Sequence, residues 1–372
     1  MTGPIEELLR PDLRGRTAYG APQLEVPVPL NVNENSYAVP PAVVADMAAA
    51  VAEVAPTLNR YPDREFTDLR KDLAAFVGRS GVAVTPEQVW AGNGSNEVLL
   101  HLLQAFGGPG RVALGFTPAY SMHPIIAATT GTTWVDGHRG GGGEPFDLTV
   151  ADAVAQVGEV QPNLVFLCSP NNPTGTALGL DVIEAVHDAT PGAVIVVDEA
   201  YAEFARAGTT SAVALLAGRP RLVVTRTMSK AFALAGGRLG YLVADPALVD
   251  ALRLVRMPYH LSAVSQAVAR VALRHADAML ATVDVIRGQR DRIVETVREL
   301  GLEPVPSDAN FVLFGGLADS HATWEALLAR GVLIRDVGLP GYLRVTAGTP
   351  EETTAFLDAL TDLVPDHLEA KP

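Results

Sequence analysis

The chain has 372 residues, 48% of them hydrophobic, with 28 Lys plus Arg against 42 Asp plus Glu and a formal charge of −14. That length supports one large domain or two smaller ones around a packed core, which excludes a disulfide-stapled miniprotein and a largely disordered chain. A chain this acidic is a poor partner for nucleic-acid phosphates or anionic membranes, so any anionic substrate must be held by a local set of Arg or backbone N–H groups. The lone Cys168 forbids an intrachain disulfide and fits a reducing compartment. Without a signal-peptide pattern or a run of about 20 apolar residues, a cytoplasmic location is expected.

Residues 1–40 are rich in Pro and Asn, show little periodicity and read as an extended arm. The run Pro41–Val54, opened by proline, predicts a helix, and a second is expected around Glu65–Val77. Short apolar runs then alternate with helical patterns. Strands are expected at Val89–Ala91, Val112–Leu114, Thr132–Val135, Leu164–Cys168, Val194–Val197, Leu222–Thr225 and Gly240–Val243. Helices are expected at Asn96–Phe106, Tyr120–Thr129, Val150–Val157, Leu180–Ala189 and Ala247–Val255. Apolar strands separated by helices imply a mainly parallel sheet buried on both faces. The glycines at 140–143 read as a loop insertion without chemical meaning. After Met257 the pattern changes: Leu261–Leu300 reads as helix, long enough to hold a bend or break. Beyond it come Asn310–Phe314, a helix at Thr323–Arg330, Val332–Arg335, Tyr342–Thr346 and a closing helix Pro350–Leu363. The expectation is an α/β fold in three parts: the arm over 1–40, a large domain over 41–256, and a small α+β domain over 257–372.

Only three of the basic residues are lysines, Lys71, Lys230 and Lys371, and only Lys230 lies in a quiet, apolar neighbourhood. Three segments succeed strands in the position where open α/β sheets place their ligands. Gly92-Asn-Gly-Ser-Asn-Glu97 opens a helix and reads either as a phosphate site or as an ordinary capped turn. Asp198 ends a fully apolar strand; it either meets a positive group or caps the next helix. Arg226 to Tyr241 sets Thr227, Ser229, Lys230 and Arg238 among Ala, Gly and Leu, where a lysine has a depressed pKa unless it snorkels to the surface. A phosphate cradle, a buried carboxyl and a nucleophilic amine are together what pyridoxal phosphate requires. No phosphate-loop, nucleophile-elbow or dinucleotide-binding pattern competes, and neither the eight His residues nor Cys168, which reads as a buried spacer, suggest a metal site.

The chain resembles the fold type I pyridoxal phosphate enzymes and, within them, the histidinol-phosphate aminotransferases. The resemblance runs through Tyr19, Leu30-Asn-Val-Asn-Glu-Asn35, Arg60-Tyr-Pro-Asp63, Gly92–Glu97, Pro118-Ala-Tyr-Ser-Met122 and Cys168-Ser-Pro-Asn-Asn-Pro-Thr-Gly175. It continues through Asp198-Glu-Ala-Tyr201, Thr227-Met-Ser-Lys-Ala-Phe232, Ala309-Asn-Phe311, Ile334-Arg-Asp-Val337 and Gly341-Tyr-Leu-Arg344. It implies a mostly parallel seven-stranded sheet flanked by helices, with the arm joining the C-terminal part in the smaller domain. It also implies that Lys230 holds the cofactor covalently and carries the proton between substrate Cα and cofactor C4′. Asp198 would pair with the ring nitrogen, Asn172 and Tyr201 with the ring's phenolate oxygen, and Tyr120 would stack on the ring. Ser95, Asn96, Thr227, Ser229 and Arg238 would bind the cofactor phosphate, and Tyr61 would reach the cofactor of the other subunit of a homodimer. Arg344 would clamp the α-carboxylate, while Arg335 with Tyr19 would take the distal group, unless Arg335 simply pairs with Asp336.

The activity implied is transfer of an amino group between histidinol phosphate and 2-oxoglutarate, giving imidazole acetol phosphate and glutamate in histidine biosynthesis. An aromatic amino acid aminotransferase is the nearest alternative and a phosphothreonine decarboxylase a more distant one. Ser36 after Asn35, the pair Gly236-Gly237 before Arg238, and His260 depart from the family pattern near the substrate and cofactor shell.

Overall fold

The computed structural model describes residues 5–15, 17–140 and 146–367; the glycines at 141–143 and Lys371 lie outside them. In the arm, Val28–Pro29 forms a two-residue strand, β1. The central sheet uses β2 (Val89–Gly92), β3 (Val112–Thr117), β4 (Thr133–His138), β5 (Leu164–Cys168), β6 (Val194–Asp198), β7 (Leu222–Thr227) and β8 (Gly240–Ala244). Its order is β2-β8-β7-β6-β5-β3-β4, and only β8 runs against its neighbours. The strand expectations thus all fall in one sheet, with several strands one to three residues longer than their apolar runs. The extension matters in β6 and β7, where the added residues, Asp198, Arg226 and Thr227, are polar ends that the apolar pattern cannot count.

Helices α1 (Pro41–Val54), α2 (Thr67–Gly78), α3 (Ser95–Phe106), α4 (Met122–Thr129), α5 (Val150–Val160), α6 (Leu180–Ala189) and α7 (Pro246–Leu252) lie among these strands in sequence. Local chemistry starts several of them. Thr149 Oγ1 accepts from Asp152 N ahead of α5, and Asp245 accepts from Ala247 N ahead of α7, with Pro246 in the first turn. Every residue of β5 is buried, as covering a parallel sheet on both faces requires.

The stretch from 261 to 300 divides into α8 (Ala263–Arg274), α9 (Ala276–Leu280) and α10 (Val283–Glu299). Then come β9 (Glu303–Pro304), β10 (Phe311–Gly315), α11 (Ser320–Ala329), β11 (Val332–Leu333), β12 (Arg335–Asp336), β13 (Leu343–Thr346) and α12 (Pro350–His367). Strands β12-β13-β10-β9 form an antiparallel sheet, and β1 pairs in parallel with β11, so the arm is stitched to the C-terminal part. Among the described residues there are two hydrophobic cores: α8 and α9 pack into the first, with the large sheet, and the second joins α10 and the small antiparallel sheet to Leu30 of the arm and to Tyr201, Phe204 and Ala231.

Two features of this layout position a site. The sheet order reverses direction between β3 and β5, and the loops after β3, β5, β6 and β7 leave the same end of the sheet. The arm and the pair β12–β13 stand across from that end, as their shared cavity shows.

Candidate active site

The turn after β2 is built for close approach. Gly94 takes φ of +84°, and a Cβ there would stand 2.4 Å from Arg238 Nη2. A Cβ on Gly240 would meet Ser95 N at 2.1 Å, so glycine at both places lets β8, the start of α3 and Arg238 converge. Arg238 donates through Nη1 to Ala235 O at 3.1 Å and through Nη2 to Asn93 O at 3.5 Å. Beside it Thr227 Oγ1 donates to Ser229 Oγ at 3.0 Å and accepts from Ser229 N at 3.1 Å. A helix N-terminus, two hydroxyls and a guanidinium therefore face one space, an arrangement that attracts a phosphate.

Asp198 closes β6 and is 2% exposed. Its Oδ2 lies 3.0 Å from His123 Nε2, and its Oδ1 accepts from Thr225 Oγ1 at 3.2 Å. The carboxyl is thus engaged sideways, not spent on capping a helix. His123, on α4, escapes sequence reasoning: its partner lies 75 positions away, and a histidine on an apolar helix carries no signature of its own.

Lys230 Nζ donates to Val32 O of the arm at 3.1 Å. Burial, then the like charges of Arg344 and Arg238, pull its pKa down to about 8, against a smaller opposing pull from Glu34. Tyr201 is buried, its hydroxyl accepting from Asn33 Nδ2 at 3.1 Å and from Asn172 Nδ2 at 3.5 Å; burial pushes its pKa up to about 12. Tyr120 donates to Asn96 Oδ1 at 3.3 Å.

Arg344 lies in β13 opposite Arg335 in β12. It donates to Asn172 Oδ1 at 2.5 Å and to Asn31 O at 2.9 Å, and its guanidinium sits 5.1 Å from the centre of the Phe311 ring. Its Nε is buried without a partner, leaving a donor unspent, and burial pulls its pKa down to about 10. Arg335 does not form the ion pair with Asp336 that its neighbour offered; Asp336 instead meets His321 Nδ1 at 3.1 Å and accepts from Gly338 N.

A cavity of about 600 Å³ unites these groups. Tyr19, Ser95, Asn96, Tyr120, Asn172, Asp198, Tyr201, Thr227, Ser229, Lys230, Arg238, Arg335 and Arg344 all line it, together with Asn31, Asn33 and Glu34 of the arm and Cys168. Tyr61 stands apart from it. That side chain is 80% exposed and stacks on Tyr259, ring centres 4.5 Å apart.

With this geometry in view, comparison with known proteins finds aminotransferases at several distances. A histidinol-phosphate aminotransferase of Paenarthrobacter aurescens is 59% identical over 98% of both chains. The protein of the same name from Thermobifida fusca is 58% identical over 96% of this chain and 95% of its own. Among solved structures, histidinol-phosphate aminotransferase from Sinorhizobium meliloti in complex with pyridoxal 5′-phosphate superimposes with a TM-score of 0.79 at 25% identity, covering 92% of each chain. The sequence pattern of aminotransferase class I and II matches residues 25–360, from the arm to the closing helix. The match takes in every lining residue from Asn31 to Arg344, and the chain belongs to the class I and II aminotransferase family.

Proposed function

We propose that this chain is a cytoplasmic, homodimeric pyridoxal phosphate enzyme that transfers the amino group of histidinol phosphate to 2-oxoglutarate, giving imidazole acetol phosphate and glutamate in histidine biosynthesis. The observation that carries the reading is one cavity joining a lysine of lowered pKa, a buried carboxyl, an anion cradle and two further arginines. The shared name of close relatives over nearly the whole chain supports it.

The donor set fits pyridoxal phosphate. The cradle of Ser95, Asn96, Thr227, Ser229 and Arg238 suits its phosphate, and Asp198 suits a protonated ring nitrogen. When bound, the cofactor supplies an electron sink that acidifies the Cα–H bond of an attached amine.

The chain's own groups then have separate tasks. Lys230 would hold the cofactor covalently, and its Nζ, when free, would take the proton from substrate Cα. Asp198, steadied by His123 and Thr225, holds a proton at the ring nitrogen. Asn172 and Tyr201 would donate to the ring oxygen, and Tyr120 would stack on the ring. Arg344 offers the carboxylate of glutamate or 2-oxoglutarate a guanidinium whose Nε is free. Arg335 with Tyr19 takes the distal phosphate of one substrate and the distal carboxylate of the other, which explains why one site needs arginine at both ends. Tyr61 reaches the cofactor phosphate of the second subunit.

The test is a single half-reaction on the cofactor-loaded protein. Histidinol phosphate, phenylalanine and phosphothreonine are added separately, and loss of the cofactor's aldehyde-state absorbance is monitored. Rapid conversion by histidinol phosphate is expected. Conversion by phenylalanine alone, or by none of the three, would overturn the assignment.

A further inference from the structure

The residue that links the phosphate turn to the rest of the molecule is Asn93, whose side chain does not line the cavity. Its backbone N–H and its Nδ2 both donate to Glu97 Oε2, at 2.5 and 2.9 Å, closing the turn onto the first turn of α3. Its Nδ2 also donates to His260 O at 2.9 Å, and its own carbonyl accepts from Arg238 Nη2 at 3.5 Å. One asparagine therefore ties together the helix start, the cationic end of the cradle and the connection between α7 and α8.

His260 holds that connection against the sheet. Strand β2 is an edge strand, with β8 its single neighbour, and Ala91 in it sits one residue before the turn. His260 Nε2 lies 2.9 Å from Ala91 O, and since a carbonyl can only accept, Nε2 carries the proton. The imidazole stacks on Trp90 at 5.5 Å and meets Phe66 and His101 edge-on. The connection is anchored again by Arg256, which donates to Arg64 O and to Glu65 Oε1, and by the Tyr259 ring stacked on Tyr61.

We propose that Asn93 and His260 are positioning residues for the cofactor phosphate: together they fix where Ser95, Asn96 and Arg238 point, so their loss weakens the phosphate half of cofactor binding and spares the rest. This rests on the assignment of the cavity to pyridoxal phosphate. The proposed ring-binding groups, Asp198 at the end of β6 and Tyr201 just after it, have their own supports in His123 and Asn33. Binding of the ring should therefore be indifferent to Asn93. A residue acting only on general stability would weaken both halves alike.

The experiment uses the ligand-free protein and two probes, pyridoxal phosphate and pyridoxal, which lacks the phosphate. Dissociation constants are measured by absorbance titration for wild type, Asn93→Ser and His260→Phe, alongside the melting temperature of each ligand-free protein. His260→Phe keeps the ring packing and removes the donor to Ala91, so it carries the test if Asn93→Ser does not fold. Each variant should bind pyridoxal phosphate on the order of tenfold more weakly, the size of one or two lost hydrogen bonds, with pyridoxal within about twofold of wild type. Equal losses for both probes, or none for either, would overturn the positioning role. Failure of wild type to bind pyridoxal phosphate would overturn the cofactor assignment and this inference with it, whereas normal wild-type binding with unchanged variants removes this inference alone.

Discussion

At the residue scale the site is an electrostatic arrangement in which one member must yield. Lys230, Arg238, Arg335 and Arg344 bring four cations to one cavity, and of the two residue types lysine gives up its proton the more readily. Burial first, and the like charges after it, bring the lysine pKa down to about 8. At pH 7.5 about a quarter of such amines are free, against about a thousandth at an ordinary lysine pKa. Covalent capture of pyridoxal phosphate by the ligand-free protein should therefore speed up as pH rises through about 8 and level off above it. Arg344→Ala removes a like charge and should move that midpoint upward, towards the ordinary lysine value. Stopped-flow absorbance from pH 6.5 to 10 checks this, and an unmoved midpoint would mean that burial alone sets the lysine. Lys230 was legible in the sequence because lysine is so rare here and its neighbours are apolar. His123, Asn33 and Asn93 were not, because each acts through a partner brought near only by folding, and neither spacing nor residue type announces that partner.

At the element scale, apolar periodicity found what is long and missed what is paired. All seven central strands were legible, most of them because a strand buried on both faces leaves a short apolar run; β4, at the sheet edge, is largely exposed and showed through Thr132–Val135. Strands β1 and β9 were not: each has two residues and ends in proline, and each exists through the partner it meets. The run 261–300 read as helix with room for a bend or break but no place for one, for no Gly or Pro marks the junctions at His275 and at 281–282. Its physical reason is tertiary, since the chain there passes from one core to the other. Helix α3 yields a prediction of its own. It carries His101, whose Nδ1 accepts from Trp90 Nε1 at 3.2 Å, and burial pulls the His101 pKa down to about 4. Between pH 6.5 and 4 the unfolded imidazole binds a proton that the folded one refuses, so stability should fall as pH falls through that window. The full difference is on the order of 3 kcal/mol. His101→Gln keeps an acceptor for Trp90 and loses the titration, so urea unfolding should show a shallower loss between pH 6.5 and 4.5. Parallel profiles for variant and wild type would place the acid sensitivity elsewhere.

At the scale of the whole molecule, the question is what the exposed apolar side chains around Tyr61 are for. Leu254 is 86% exposed and Met257 74%, and the connection they belong to is fixed beside residues 61–65 through Arg256 and the Tyr61–Tyr259 stack. Apolar side chains gathered in this way suit a second copy of the chain in a two-fold arrangement, with each Tyr61 facing the other subunit's site. Complementation tests this without depending on how tightly the copies associate. Lys230→Ala would abolish the proposed reacting amine, and Tyr61→Ala the proposed phosphate contact; each homodimer should be inactive or nearly so. In a mixed dimer the chain that keeps Lys230 receives Tyr61 from its partner, so one of the two sites is whole. Random exchange makes half of the dimers mixed, and the mixture should then recover about a quarter of the wild-type activity. Were Tyr61 to act on its own chain's site, every site with Lys230 would still lack it, and mixing would recover nothing.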